Sequence, residues 1–361
     1  MKKHSIYIIA VFIVALIALT SCGKGQAETT TEATDTSRLQ IVTTIFPQFD
    51  FARQITSGKA DVTMLLKPGA ESHTYEPSPK DIKLIQNSDL FIYVGGENDV
   101  WVEDILASMG DVAPDTLRLV DCVPTVTELI VEGMEYDHDH EADHDHDHEA
   151  DHDHDHEADH DHDHEADHDH DHDHDHDHDH EHEHEGEIDE HVWTSPVNAI
   201  AIVNKIAQIV ETKDPDNAEF FEANRKAYVE KLTDLDRQFR DVVSSSKRKT
   251  ILFGDRFPFR YFADEYGLEY YAAFPGCSAQ VEASAATVAF LTDKVKEDKL
   301  PVVFTIELSN GKIADAIGEA TGAQSLTLNS CHNVTKDQMD SGETYLSLMQ
   351  KNVETLRIAL N

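Results

Sequence analysis

The sequence predicts an α/β protein of two parallel-sheet lobes joined by a long rigid helix. Three observations lead there. Short β-branched apolar runs alternate with stretches of helical periodicity, and this alternation occurs twice along the chain. Between the two series lies one unbroken stretch, residues 216–244, whose apolar positions recur at helical spacing with charges between them. Gly, Ser, Pro and Asn cluster after several of the strand-like runs, where parallel sheets place their ligands.

In the first series, residues 39–46 are β-branched and almost continuously apolar, as in a strand covered on both faces, and Pro47 is expected to end it. A helix over 49–55, a strand over 61–66 and a turn-forming loop over 67–79 follow. The alternation continues with a helix over 79–87, a strand over 90–94, a helix over 101–109 and a strand over 116–120. Residues 189–196 then place His191 just before a Ser-Pro helix start, followed by an apolar-periodic helix over 197–210. The second series reads as strands over 250–253, 268–274, 302–306 and 324–328, with helices over 257–266, 283–297, 312–321 and 342–360.

The ends and the interior divide the chain further. Residues 1–22 read as a secretion signal: Lys2 and Lys3, an apolar run over 6–19, then Leu19-Thr20-Ser21-Cys22, which resembles a lipobox. Cleavage before Cys22 and lipid attachment to its sulfur are expected, followed by a Thr/Glu-rich tether over 23–38. The first lobe is assigned 39–215, the linking helix 216–247 and the second lobe 248–361. The protein is expected as a lipid-anchored monomer on the extracytoplasmic face of the cell membrane.

Residues 137–185 interrupt the first lobe with almost nothing but His, Asp and Glu in alternation. Four copies of Glu-Ala-Asp-His-Asp-His-Asp-His lead into pure Asp-His and Glu-His pairs. No apolar side chain larger than alanine is present to offset the entropy of ordering, so a disordered insertion is expected. Acids alone would solubilise as well; alternation with imidazole adds affinity for borderline divalent cations such as zinc. This tract holds 25 of the 71 acids and no base, so the net charge of −42 becomes −17 for the remainder. The absence of a basic stripe argues against nucleic acid as a partner.

Outside the tract the histidines are only His4, His73, His191 and His332. Three cysteines remain beyond Cys22. Cys277 and Cys331 lie in Gly/Ser-flanked loops and are expected to pair, with Cys122 a buried small hydrophobe; a thiolate-ligand role for Cys331 is the alternative.

The segments Pro68-Gly69-Ala70-Glu71-Ser72-His73-Thr74-Tyr75-Glu76-Pro77-Ser78-Pro79 and Glu190-His191-Val192-Trp193-Thr194-Ser195-Pro196 closely resemble the paired signature segments of the zinc/manganese solute-binding lipoproteins of ABC importers. Many zinc members of that family also carry a His-rich loop between the two. The resemblance covers the chain from Leu39 to Asn361. It implies a metal site in the inter-lobe cleft, zinc or less readily manganese as the ion, and delivery to an ABC permease and its ATPase. His73 and His191 match the family's first-lobe ligands, and two neutral imidazoles favour zinc over calcium or magnesium. In the second lobe the sequence departs from the pattern. Arg256 stands at the expected ligand position and, being always protonated, cannot bind a cation. His332, the only histidine of that lobe, is nominated as the third ligand, with Asp255 and Glu307 competing for the fourth place.

No HExxH helix and no nucleophile elbow is present, so no catalysed reaction is expected. An extracellular zinc buffer or chaperone that never meets a permease keeps the same site chemistry and is the alternative.

Overall fold

The computed structural model describes residues 38–71, 75–134, 187–278 and 282–361. The expected signal, lipidated Cys22, His73 and the His-rich tract lie outside the described residues. Strands β1 (Leu39–Thr43), β2 (Ala60–Met64), β3 (Leu90–Tyr93) and β4 (Asp115–Arg118) form one sheet in the order β2-β1-β3-β4, every pairing parallel. A second sheet repeats this arrangement as β6-β5-β7-β8, from β5 (Thr250–Phe257), β6 (Glu269–Pro275), β7 (Val302–Thr305) and β8 (Gln324–Thr327), again all parallel.

The crossovers supply α1 (Phe46–Thr56), α2 (Pro79–Gln86) and α3 (Val100–Met109) in the first lobe, followed by α4 (Pro196–Lys213) and α5 (Ala218–Ser244). In the second lobe come α6 (Arg260–Tyr266), α7 (Ala285–Asp298), α8 (Lys312–Thr321), α9 (Lys336–Asp340) and α10 (Tyr345–Ala359). No helix among the described residues is long and apolar enough to cross a membrane. Coverage of both faces explains the strand composition: Ile41, Val42 and Thr43 of β1 are all buried, so no polar alternation is needed. Helix α2 begins where Ser78 and Asp81 cap each other reciprocally, with Pro79 in the first turn where its missing N–H costs nothing.

Three elements differ from the sequence expectation, one of them α9 (Lys336–Asp340), a helix formed where none was expected. Pro47 does not end a strand; it lies in the first turn of α1, a position that its fixed φ favours. Strand β5 runs on to Phe257 through a register shift between Phe253 and Arg256, so the turn-forming Gly254-Asp255-Arg256 is an irregular strand end.

Helix α5 buries Phe221, Tyr228, Leu232, Leu235, Phe239, Val242 and Val243 along one stripe. It packs against α1 and α4 of the first lobe and against α6 and α10 of the second. At the usual rise its 27 residues reach about 40 Å. Helix α10 also returns to the first lobe: Tyr345 donates its backbone N–H to Asp50 at 2.9 Å and sets its ring edge-on to Phe51 at 4.8 Å. One apolar core therefore runs from Leu39 to Leu360.

Thr127 and Ile188 form an isolated antiparallel bridge. Hydrogen bonds from Glu128 N–H to Glu187 C=O and from Asp189 N–H to Val126 C=O flank it. The chain thus leaves for the tract and returns from it through a closed base, within three residues of His191.

Candidate metal centre

A cavity of about 20 Å³ lies where the C-terminal ends of the two sheets meet, room enough for one ion or water molecule. Its wall is assembled from loops after different strands. Ala70 and Glu71 follow β2, Arg256 and Pro258 sit at the end of β5, and Gly276 follows β6. Glu307 and Leu308 follow β7, and Ser330, His332 and Asn333 follow β8, with His191 completing the wall. Brought to one place from both sheets, these loops make the kind of crevice where parallel α/β proteins bind ligands.

His191 is 1% exposed, and its Nδ1 lies 3.1 Å from Asp189 Oδ1, which also accepts the His191 backbone N–H at 2.8 Å. A carboxylate only accepts, so a neutral ring carries its proton on Nδ1 and its lone pair on Nε2. Burial pulls the imidazole pKa down, but Asp189, with smaller contributions from Glu190 and Glu128, outweighs it and leaves the pKa raised. Gly276 passes so close to the ring that a Cβ there would stand 3.1 Å from Cε1.

His332 is held from both sides. Its ring centroid is 5.6 Å from that of His191 and 5.1 Å from that of Trp193. The Trp193 indole N–H donates to Ser330 C=O at 2.8 Å, so a first-lobe side chain fixes the second-lobe loop carrying His332. Glu307 accepts from Ser330 N–H and O–H, both at 2.6 Å, and from His332 N–H at 2.8 Å. Burial pushes the Glu307 carboxyl up, against the pull of these donors. Leu308 and Cys331, each next in sequence to one of these two residues, have φ of 63° and 61°, a left-handed backbone that only the surrounding structure sustains.

His191, His332 and Glu307 thus line one cavity, whereas Asp255 does not. Its Oδ1 accepts Arg256 N–H at 2.9 Å and its Oδ2 accepts Ile306 N–H at 3.3 Å, so it ties β5 to the loop after β7. Among the described residues no three His, Cys, Asp or Glu side chains group closely enough to hold an ion. The expected Cys277–Cys331 pairing is corrected: both are free thiols. Cys331 is buried and Cys277 donates its backbone N–H to Glu128. Asp189, Trp193 and Asn333 are site residues that the sequence reading did not single out. The first two sit at fixed offsets of two from His191, the only signal they carry.

A family model described as zinc-uptake complex component A, periplasmic (ZnuA), matches residues 41–359. The chain is 31% identical over 363 residues to the high-affinity zinc uptake system protein ZnuA of Bacillus subtilis (strain 168), covering 99% of this chain and 98% of that protein. It is 30% identical over 357 residues to the zinc-binding lipoprotein AdcA of Streptococcus pneumoniae (strain ATCC BAA-255 / R6), covering 99% of this chain but 61% of that longer relative. The Zn(II)-bound ZnuA-like domain of Streptococcus pneumoniae AdcA superposes with a TM-score of 0.64 at 28% identity, over 90% of this chain and 99% of that one. The repeated parallel sheets, the crevice between their ends and the match over residues 41–359 agree, and the chain belongs to the ZnuA family of zinc-uptake components.

Proposed function

We propose that this protein is the lipid-anchored solute-binding component of an ABC importer, which captures one zinc ion between its two lobes and hands it to a membrane permease. The observation that carries the reading is the pairing of His191 with His332, imidazoles from opposite lobes with ring centroids 5.6 Å apart in one ion-sized cavity. His191, His332 and Glu307 face the cavity without grouping closely enough to hold an ion in this structure, but as a donor set they suit zinc, and the family resemblance adds His73 as a fourth. Such an ion is cargo, and the reading assigns no catalysed reaction to the protein. The tract at 137–185 gathers zinc loosely outside the cleft, and Cys22 carries the lipid.

Metal stoichiometry and competitive affinity of a soluble form starting after Cys22, with 137–185 deleted, test this reading beside the same form carrying His332→Ala. One tightly held zinc that His332→Ala weakens supports the importer reading. Loss of all tight binding on deletion makes the tract the function, and the protein an extracellular zinc buffer. Cys22→Ala in the full chain is expected to release the protein from membranes into the medium.

A further inference from the structure

The cavity wall contains a cation. Arg256, whose side chain is 11% exposed, lines the same cavity as His191, His332 and Glu307, at the position where the family resemblance places a ligand. A guanidinium stays protonated at any physiological pH and repels a dication. Its charge is met by Glu71 of the opposite lobe: Nη2 lies 3.2 Å from Oε2 and Nη1 3.4 Å from Oε1, the two-pronged geometry in which a guanidinium matches a carboxylate. Nη1 also donates to Ser278 C=O at 3.2 Å. The segment bearing Glu71 has a second, uncharged attachment beside it. Asn333 Nδ2 donates to Lys67 C=O and Ala70 C=O at 2.9 and 2.8 Å, and Gly69 N–H donates to Val334 C=O at 2.8 Å. The segment is therefore held against the second lobe even without the ion pair, and the pair adds charge compensation.

We propose that Arg256 is a built-in expelling charge, masked by Glu71 while the lobes are together and exposed to the ion when they part, so that opening of the cleft and release of zinc are coupled. Arg256 and Glu71 act on the ion through the field in the cavity, and they are positioning residues, not ligands. Closed, the pair is close to neutral and the imidazoles and Glu307 decide affinity. Open, Glu71 withdraws with the first lobe while Arg256 stays on the second beside His332 and Glu307, and like charge in a poorly solvated cavity lowers the ion's residence time. This inference rests on the zinc-capture reading above.

The test measures zinc release from the full soluble chain, loaded with one equivalent of zinc, into excess chromophoric chelator. Glu71→Gln, at a half-exposed side chain, removes the mask and leaves the cation, and release is expected to accelerate about tenfold, the size of one lost charge-assisted contact. Adding Arg256→Gln removes the cation as well, and release is expected to return to within about threefold of the unmodified chain, because neighbouring charges couple non-additively. Arg256→Met in the same background is read the same way if the glutamine double variant does not fold. A Glu71→Gln rate equal to that of the unmodified chain overturns the inference. So does a double variant as fast as the single one or faster, the result of a plain structural tie. If the unmodified chain retains no zinc against chelator, the capture reading itself fails and this inference falls with it.

Discussion

The carboxylate of Glu307 holds the backbone N–H of His332 at 2.8 Å, and both residues line the same cavity. The acid nominated for a place around the ion is thus also the strut of the loop that carries His332.

Replacement of Glu307 by alanine leaves three donors in a buried site without their acceptor. Unfolding of the metal-free protein in urea is expected to show a loss of about 2–4 kcal/mol, since each orphaned buried group costs its desolvation penalty. Zinc affinity should fall together with stability. Unchanged metal-free stability would mean that Glu307 serves the ion alone.

Asp189 sets which nitrogen of His191 carries the proton. Asp189→Ala is expected to weaken zinc binding about 10- to 100-fold, the usual range for losing the group that orients a ligating histidine. Asp189→Asn keeps an acceptor oxygen and should lose less. Chelator competition at fixed pH separates the two variants.

Outside the cavity lining, Asp50 is buried beneath α10 and accepts Tyr345 N–H. Burial raises its pKa, opposed by Gln54, Tyr345 and Arg53. Between the unfolded value of about 3.9 and the raised folded value, the folded chain keeps a proton that the unfolded chain has released, so this residue's contribution to stability falls as pH rises through that window. Asp50→Asn removes the dependence. The difference in urea midpoint between the two proteins, followed from pH 4 upward, reads this slope with its sign.

Gly254 lies where β5 crosses beneath α8. A Cβ there would stand 2.6 Å from both the Cα and the N of Ala314, which are backbone atoms that cannot swing aside. Gly254→Ala is expected to cost about 1–3 kcal/mol by overpacking, visible as a lowered Tm of the metal-free protein.

The order of strands and helices was legible because hydrophobic period changes at each boundary, and α8 falls on the residues that the pattern marks, 312–321. Where punctuation residues have two uses, the reading slips. Pro47 serves equally to stop a strand or to open a helix, and the Gly254-Asp255 pair marks a turn or a bulged strand end. At the site, scarcity made His191 and His332 conspicuous, and the place of His332 in the loop after β8 supplied the rest. The Arg256–Glu71 pair was not legible: its members are 185 residues apart, and only the docking of two strand-end loops brings them together. The tie from Trp193 to Ser330, across 137 residues, was hidden for the same reason.

The bridge between Thr127 and Ile188 bears on how long the insertion can be. It pins the two sides of the insertion's base within the folded body, and the insertion between them contains four copies of one eight-residue unit. Lengthening a loop whose ends are already joined is cheap, about 0.6 kcal/mol for each doubling. Units can therefore be added to or removed from the insertion at little cost to the folded body that its base closes.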